Sequence, residues 1–246
     1  MNTVIFKESV VRSLRDLSFF ILTVIITGIN LFLYLTYHFQ SFGIDRFLLW
    51  LTFMFDILVV MAYSGYLSSK LFIREIERKS MEILFLTQSG KIGTYMQKTL
   101  AGYFLIFTIS FIAFFQPIVT MFNFGTVPLL FIYWSSIYFL ISLISGIFVF
   151  SLSNAVGFAL KKSIYSMLGV SFYIIISFFT LALIPLQWNN DFDIMAWITV
   201  FPFMASRFAF LATEAYGTVP PNILILAVLG IVWIVIIENT LWEVKV

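Results

Sequence analysis

The chain has no cysteine. That excludes disulfides, thiolate nucleophiles and cysteine-ligated metals, and it says nothing about compartment. A single histidine, His38, gives little basis for a histidine metal site. Charge is scarce as well. Only 11% of the residues are Asp, Glu, Lys or Arg, against about 25% in soluble domains. No G-x-x-x-x-G-K-[ST] loop occurs, so this chain does not cradle ATP in the P-loop manner. An intramembrane enzyme needs acids, bases or metal ligands clustered at one depth. No Ser–His or Asp–Asp constellation stands out, and neither does the inverted repeat common in secondary transporters.

Apolar side chains are what the sequence has in excess. They make up 61% of it, with 31 Phe, and the mean hydropathy is +1.04. A water-soluble fold has no interior large enough to hide this surface, so the solvent is lipid. About 20 apolar residues cross the hydrocarbon core. On that measure the spans are Leu17–Tyr37, Phe47–Ser69, Thr99–Phe122, Leu129–Leu160, Ile164–Leu186 and Asn222–Trp242. The expected fold is all-α: a polytopic membrane protein with six transmembrane helices, forming a single domain over residues 1–246. Pro220 and Pro221 stand at the start of the last span, where a missing N–H costs little.

Before the first span, Val4, Ile5, Val11, Leu14 and Leu17 recur at roughly helical spacing among Lys7, Glu8, Arg12 and Arg15. Residues 1–16 therefore read as an interfacial amphipathic helix. A signal-peptide n-region fits less well, because the following apolar run is too long and lacks an A-x-A exit. An unstructured basic tail is the other reading. Lysine and arginine set the orientation. One side receives residues 7, 12, 15, 70, 74, 78, 79, 91, 98, 161, 162 and 245; the other receives only Arg46 and Arg207. Six spans then place both termini in the cytoplasm of a cell (plasma) membrane protein. Residues 188–219 hold two apolar pieces, Phe192–Phe201 and Phe203–Ala212, parted by Pro202 and each too short to cross. They read as short re-entrant helices at the outer interface. The turn at Pro202 must then be buried in protein or line a wet cavity.

Within the spans, Ser135, Ser142, Ser145, Gly146, Ser153 and Gly157 permit close helix approach. They mark either packing inside one subunit or a dimer face or pathway. Asp56 sits near the middle of the second span, where a carboxylate is costly and faces the bundle interior or water. It reads as a substrate or proton contact, or as a carboxyl bonded to Asn30. Asn154 and Gln116 read as interhelical hydrogen-bonding amides rather than ligands.

The longest charged interruption is residues 70–98. Glu75 and Lys79, and Arg78 and Glu82, are four apart, a spacing that pairs charges on a helix. Met81, Leu84 and Phe85 share an apolar face. Ser89 and Gly90 break the helix, and Thr94 and Gln97 form a weak capping box before the third span. Ile83, Leu84, Phe85 and Leu86 crowd a cytoplasmic segment, which calls for a partner surface or the lipid interface.

Arg74-Glu75, then Lys79-Ser80-Met81-Glu82-Ile83-Leu84, then Lys98 and Ala101, resemble the first cytoplasmic loop of type-two ABC exporter permeases. That loop reads approximately R-E-x-x-x-G-T-x-E-x-L, then a Pro-containing turn, then Lys. Here Ser80 stands for Thr, Lys79 for Gly and Gln88 for Pro. The likeness extends to the layout of the whole chain. It implies a permease subunit paired with a second permease chain, as homodimer or heterodimer, and with a cytoplasmic ABC ATPase subunit. Glu75, Arg78, Ser80, Glu82, Leu84, Phe85 and Thr87 would then form a coupling helix seated on that ATPase. ATP and Mg would lie on the partner, with no cofactor and no catalytic residue in this chain. Short outer segments and many Phe suit an apolar or amphipathic cargo such as a small peptide, lipid or antibiotic. The alternatives are an ion-coupled carrier or intramembrane enzyme centred on Asp56, with Asn30 and Asn154 as further pathway polar groups, and a non-transporting membrane anchor.

Overall fold

Lipid offers no hydrogen bonds, so each backbone segment within it must satisfy its own polar groups. The computed structural model, which describes residues 4–39, 46–86, 90–124, 129–183, 197–217 and 219–246, is accordingly helical, with no strand among the described residues. The helices are α1 (Val4–Leu14), α2 (Leu17–Phe39), α3 (Arg46–Ser68), α4 (Arg74–Glu77), α5 (Ser80–Phe85), α6 (Gly90–Phe124), α7 (Leu129–Leu160), α8 (Ser163–Leu183), α9 (Ala205–Tyr216) and α10 (Pro221–Lys245). A π-helical turn, Ser69–Ile73, joins α3 to α4, and a 3-10 turn, Pro202–Met204, precedes α9.

Among the described residues, four helical stretches are long and apolar enough to cross a membrane: Trp50–Glu77, Gly90–Gln116, Phe131–Leu160 and Pro221–Lys245. A fifth appears if α1 and Leu17–Phe32, which meet at 57°, form one bent span. Ser163–Phe179 is apolar but shorter. The chain is therefore an all-helical membrane protein with four to five candidate spans.

The bend between α1 and α2 falls at Asp16. Its carbonyl receives Phe19 N–H (3.1 Å) and Phe20 N–H (3.3 Å), and its carboxylate receives Ser18 N–H (3.4 Å). This is N-cap geometry, which satisfies first-turn donors. Helix α1 lays Ser9, Val10 and Ser13 against the bundle, while Val4, Val11 and Leu14 of the expected apolar face stay exposed. Those three are free to meet lipid, as an interfacial helix requires.

Helix α7 is the centre of the bundle; α3, α6, α8 and α10 all pack on it. Its small residues explain why. Ser135, Ser142, Ser145 and Ser153 are buried. A Cβ on Gly146 would stand 2.7 Å from the Ile106 side chain, and one on Gly157 would collide with Ile73. Serines bridge the seams: Ser110 with Ser142 (3.1 Å) and Ser153 with Ser166 (2.7 Å). Within the chain, then, this stripe serves packing.

Of the re-entrant segment, residues 197–200 form a helical turn, followed by Pro202–Met204 and α9; residues 188–196 lie outside the described set. Pro202, Phe203 and Met204 are buried in protein, one of the two settings expected for the turn at Pro202. Gly230 of α10 makes room for them, since a Cβ there would stand 2.5 Å from the Thr199 carbonyl oxygen.

Gly157→Val is expected to lower thermal stability in detergent by about 1–3 kcal/mol, the usual cost of overpacking. Gly28→Val, where nothing lies within 4 Å, should shift the melting temperature far less. A Gly157 variant as stable as wild type would refute the close seam.

Candidate functional site

The charged stretch does not hang free below the bundle. Helix α3 runs into the π turn, whose Ser69, Leu71, Phe72 and Ile73 are buried. A π turn widens the hydrogen-bond ladder and is found often at functional sites. Here it meets Lys98 of α6. The Lys98 ammonium, 3% exposed, donates to the Leu71 carbonyl (2.9 Å) and to Glu75 Oε2 (2.8 Å). A buried ammonium is tolerable only with such partners. This replaces the expected Glu75–Lys79 pairing. The helix stops at Glu77, and Lys79 takes a left-handed conformation (φ 57°) before α5 begins. That break carries Lys79 away from Glu75, and no ion pair joins Arg78 to Glu82.

Helix α5 is held on both sides. Ser80 Oγ donates to the Glu75 carbonyl (3.2 Å). Met81 is buried, and Leu84 and Phe85 pack against the core. Phe85 meets Trp242 edge-on at 5.7 Å, in a cluster with Phe72, Tyr95 and Phe158. Glu82 is exposed. Ile83 (69% exposed) and Leu86 (88%) present the outward apolar surface. Thr87 lies outside the described residues. Of the seven expected coupling residues, then, Arg78 and Glu82 are on the surface, while Leu84 and Phe85 anchor α5 from within.

The capping-box expectation fails. Helix α6 starts at Gly90, in a left-handed conformation (φ 64°), and runs unbroken, so Thr94 and Gln97 lie inside it. Both still work as cross-links. Thr94 Oγ1 donates to the Leu84 carbonyl (3.5 Å), and Gln97 Oε1 accepts the Phe6 N–H of α1 (3.3 Å). Glu77 does cap a helix, but in trans: its Oε2 receives Ser163 N–H (3.3 Å) and Ser163 Oγ–H (2.8 Å) at the start of α8.

Between α1, the end of α3, α4–α5 and α6 lies a cavity of about 670 Å³. Asp16 on its wall accepts Lys70 Nζ (2.7 Å) and Tyr66 Oη (2.6 Å). These bonds hold its carboxyl down at about 2, so it is charged. Arg74 stands over the Tyr66 ring at 5.7 Å.

Deeper in the bundle, Asp56 is fully buried and neither of its carboxyl oxygens has a hydrogen-bond partner. The expected bond to Asn30 is not made, because Asn30 Nδ2 donates to the Ala113 carbonyl (2.9 Å). Gln116 accepts Thr27 Oγ1–H (3.2 Å), an interhelical bond as expected. Asn154 bridges helices too. It accepts from Ser68 Oγ (2.6 Å) and donates to Glu238 Oε1 (2.7 Å). Glu238, fully buried in α10, escaped the sequence reading. The rule that singled out Asp56, an ionisable residue inside a span, applies equally to it. No group of three His, Asp or Glu able to hold a metal occurs among the described residues.

No protein-family model and no curated protein matches the chain.

Lys98→Met is expected to cost about 2 kcal/mol, since it strips the Leu71 carbonyl and Glu75 of a buried charged donor. Trypsin cleavage after Arg78 or Lys79 should accelerate in the same variant; unchanged cleavage would mean that Lys98 does not hold the segment. Lys79→Gly removes a left-handed side-chain penalty. It should raise stability by about 1 kcal/mol in thermal unfolding, and a loss of stability would contradict the turn geometry.

Proposed function

We propose that the chain is the membrane-spanning permease subunit of an ATP-driven exporter. The observation that carries this is α5, a short helix pinned from inside by Met81, Leu84 and Phe85 that offers Ile83, Leu86 and Glu82 outward. A loop that merely obeyed the positive-inside rule would gain nothing from two exposed aliphatics on a rigid mount. A mounted, amphipathic, charged helix suits a protein partner that pushes on it. The missing P-loop, and the resemblance in residues 74–101, support a reading in which that partner is a separate cytoplasmic ABC ATPase subunit, which carries ATP and Mg. Mounting through Lys98 and Glu75 to α6 and the π turn gives a route for force from α5 into α3 and α6.

On this reading the chain has six spans. Helix α8 is one of them, α2 is another with α1 as its interfacial helix, and both termini are cytoplasmic in a cell membrane. A second permease chain completes the pathway, and the cargo is apolar or amphipathic. Asp56, buried without a partner, supports a second reading as an ion-coupled carrier or intramembrane enzyme.

Co-expression with an ABC ATPase encoded beside this chain should yield a complex whose ATP turnover falls at least tenfold with Glu82→Lys or Ile83→Asp. No co-purification, or turnover indifferent to both substitutions, would reject the proposal. Asp56→Asn should leave that turnover within about twofold; loss of transport without any ATPase dependence would favour the carrier reading.

A further inference from the structure

The cavity beside α1 has a charge imbalance that the ATPase reading, which draws on Glu75 and Arg78, leaves unexplained. Its acids Asp16 and Glu75 are each neutralised by a lysine, Lys70 at 2.7 Å and Lys98 at 2.8 Å. Arg12, Arg74 and Arg78 also line it, and none of them has a carboxylate partner among the described residues. The lining acid outside the two pairs is Glu8. Cations are therefore in surplus in a cavity of about 670 Å³, within the roughly 300–1,000 Å³ of small-ligand sites.

Three features point to the occupant. Guanidinium groups match phosphate oxygens bidentately. The cavity lies at the end of the bundle where Lys and Arg collect, the end that faces the anionic leaflet under the positive-inside rule. One wall is α1, which lines the cavity with Ile5, Glu8, Ser9, Arg12 and Ser13 and carries Val4, Val11 and Leu14 exposed on its other side. A helix that turns one side to a cationic cavity and exposes apolar side chains on another fits a molecule with a phosphate head and a hydrocarbon tail better than a free phosphate.

We propose that this cavity binds the phosphate headgroup of an anionic phospholipid of the inner leaflet. Arg12 of α1 and Arg78, just past α4, grip the phosphate, and the exposed apolar side of α1 lies along the acyl chains. The bound lipid fixes α1 against α4–α5. None of this depends on an ATPase partner.

The test uses the full chain, delipidated in a neutral detergent and titrated with short-chain phosphatidylglycerol, short-chain phosphatidylcholine and glycerol 3-phosphate, with binding read by native mass spectrometry. Phosphatidylglycerol should bind in preference to phosphatidylcholine. Arg12→Gln and Arg78→Gln should each weaken it about fivefold, and the double variant roughly 25-fold. Lys162→Gln, a basic residue outside the cavity, should leave affinity unchanged. Arg12 is in α1 and Arg78 in the turn between α4 and α5, so misfolding of one variant, seen as early melting, leaves the other to report. Equal binding of the two lipids overturns the proposal, as does wild-type affinity in both arginine variants. Glycerol 3-phosphate competing at the same concentration as phosphatidylglycerol overturns the lipid assignment in favour of a soluble phosphate ester.

Discussion

The charged end of the molecule depends on one buried cation. Lys98 ties α6 to the π turn through the Leu71 carbonyl and to α4 through Glu75. Without those partners an ammonium at 3% exposure would be too costly to bury. With them, it makes the connection between α3 and α6 a mounted element. The position of α5, the burial of Met81 and the contact of Phe85 with Trp242 all presuppose that α4 is held there. The cavity beside α1 has the same origin, since its walls are the elements that Lys98 and Asp16 draw together.

Beneath this lies a packing problem set by lipid. Hydrocarbon does not drive helices together as water does, so association relies on close contact and interhelical hydrogen bonds. Helix α7 answers with glycines where Ile73 and Ile106 press in, and with serines that bond to α6 and α8. The chain Ser68–Asn154–Glu238 adds a polar clasp across α3, α7 and α10. Such bonds are worth about 0.6–2 kcal/mol each in membranes, so several are needed, and several are found.

Much of this was legible before any coordinates. The bounds of α7 are those read from hydropathy, and the buried turn at Pro202 followed from the intolerance of lipid for irregular backbone. The α1–α2 break falls at the expected boundary because Asp16 is both polar and a capping residue. The site was legible only in outline. Charge spacing paired Glu75 with Lys79, a forecast that assumes the helix continues. The left-handed backbone at Lys79 ends it, and Glu75 turns to a residue 23 positions away. Leu84 and Phe85 read as outward because they are apolar in a cytoplasmic segment. In fact their apolar character is spent on the chain's own core, and of the four apolar residues that call for an outside surface only Ile83 and Leu86 face out.

By itself, the sequence determined the lipid-suited composition, the helical class and where along the chain the charged segment falls, because hydropathy and scarcity of charge are sums over residues and need no partner. The partners were decided only by tertiary structure. Glu75 takes Lys98 rather than Lys79, Asn30 selects Ala113 over Asp56, and Asn154 selects Glu238, because a buried polar group takes whichever partner the packing of distant helices brings within 3 Å.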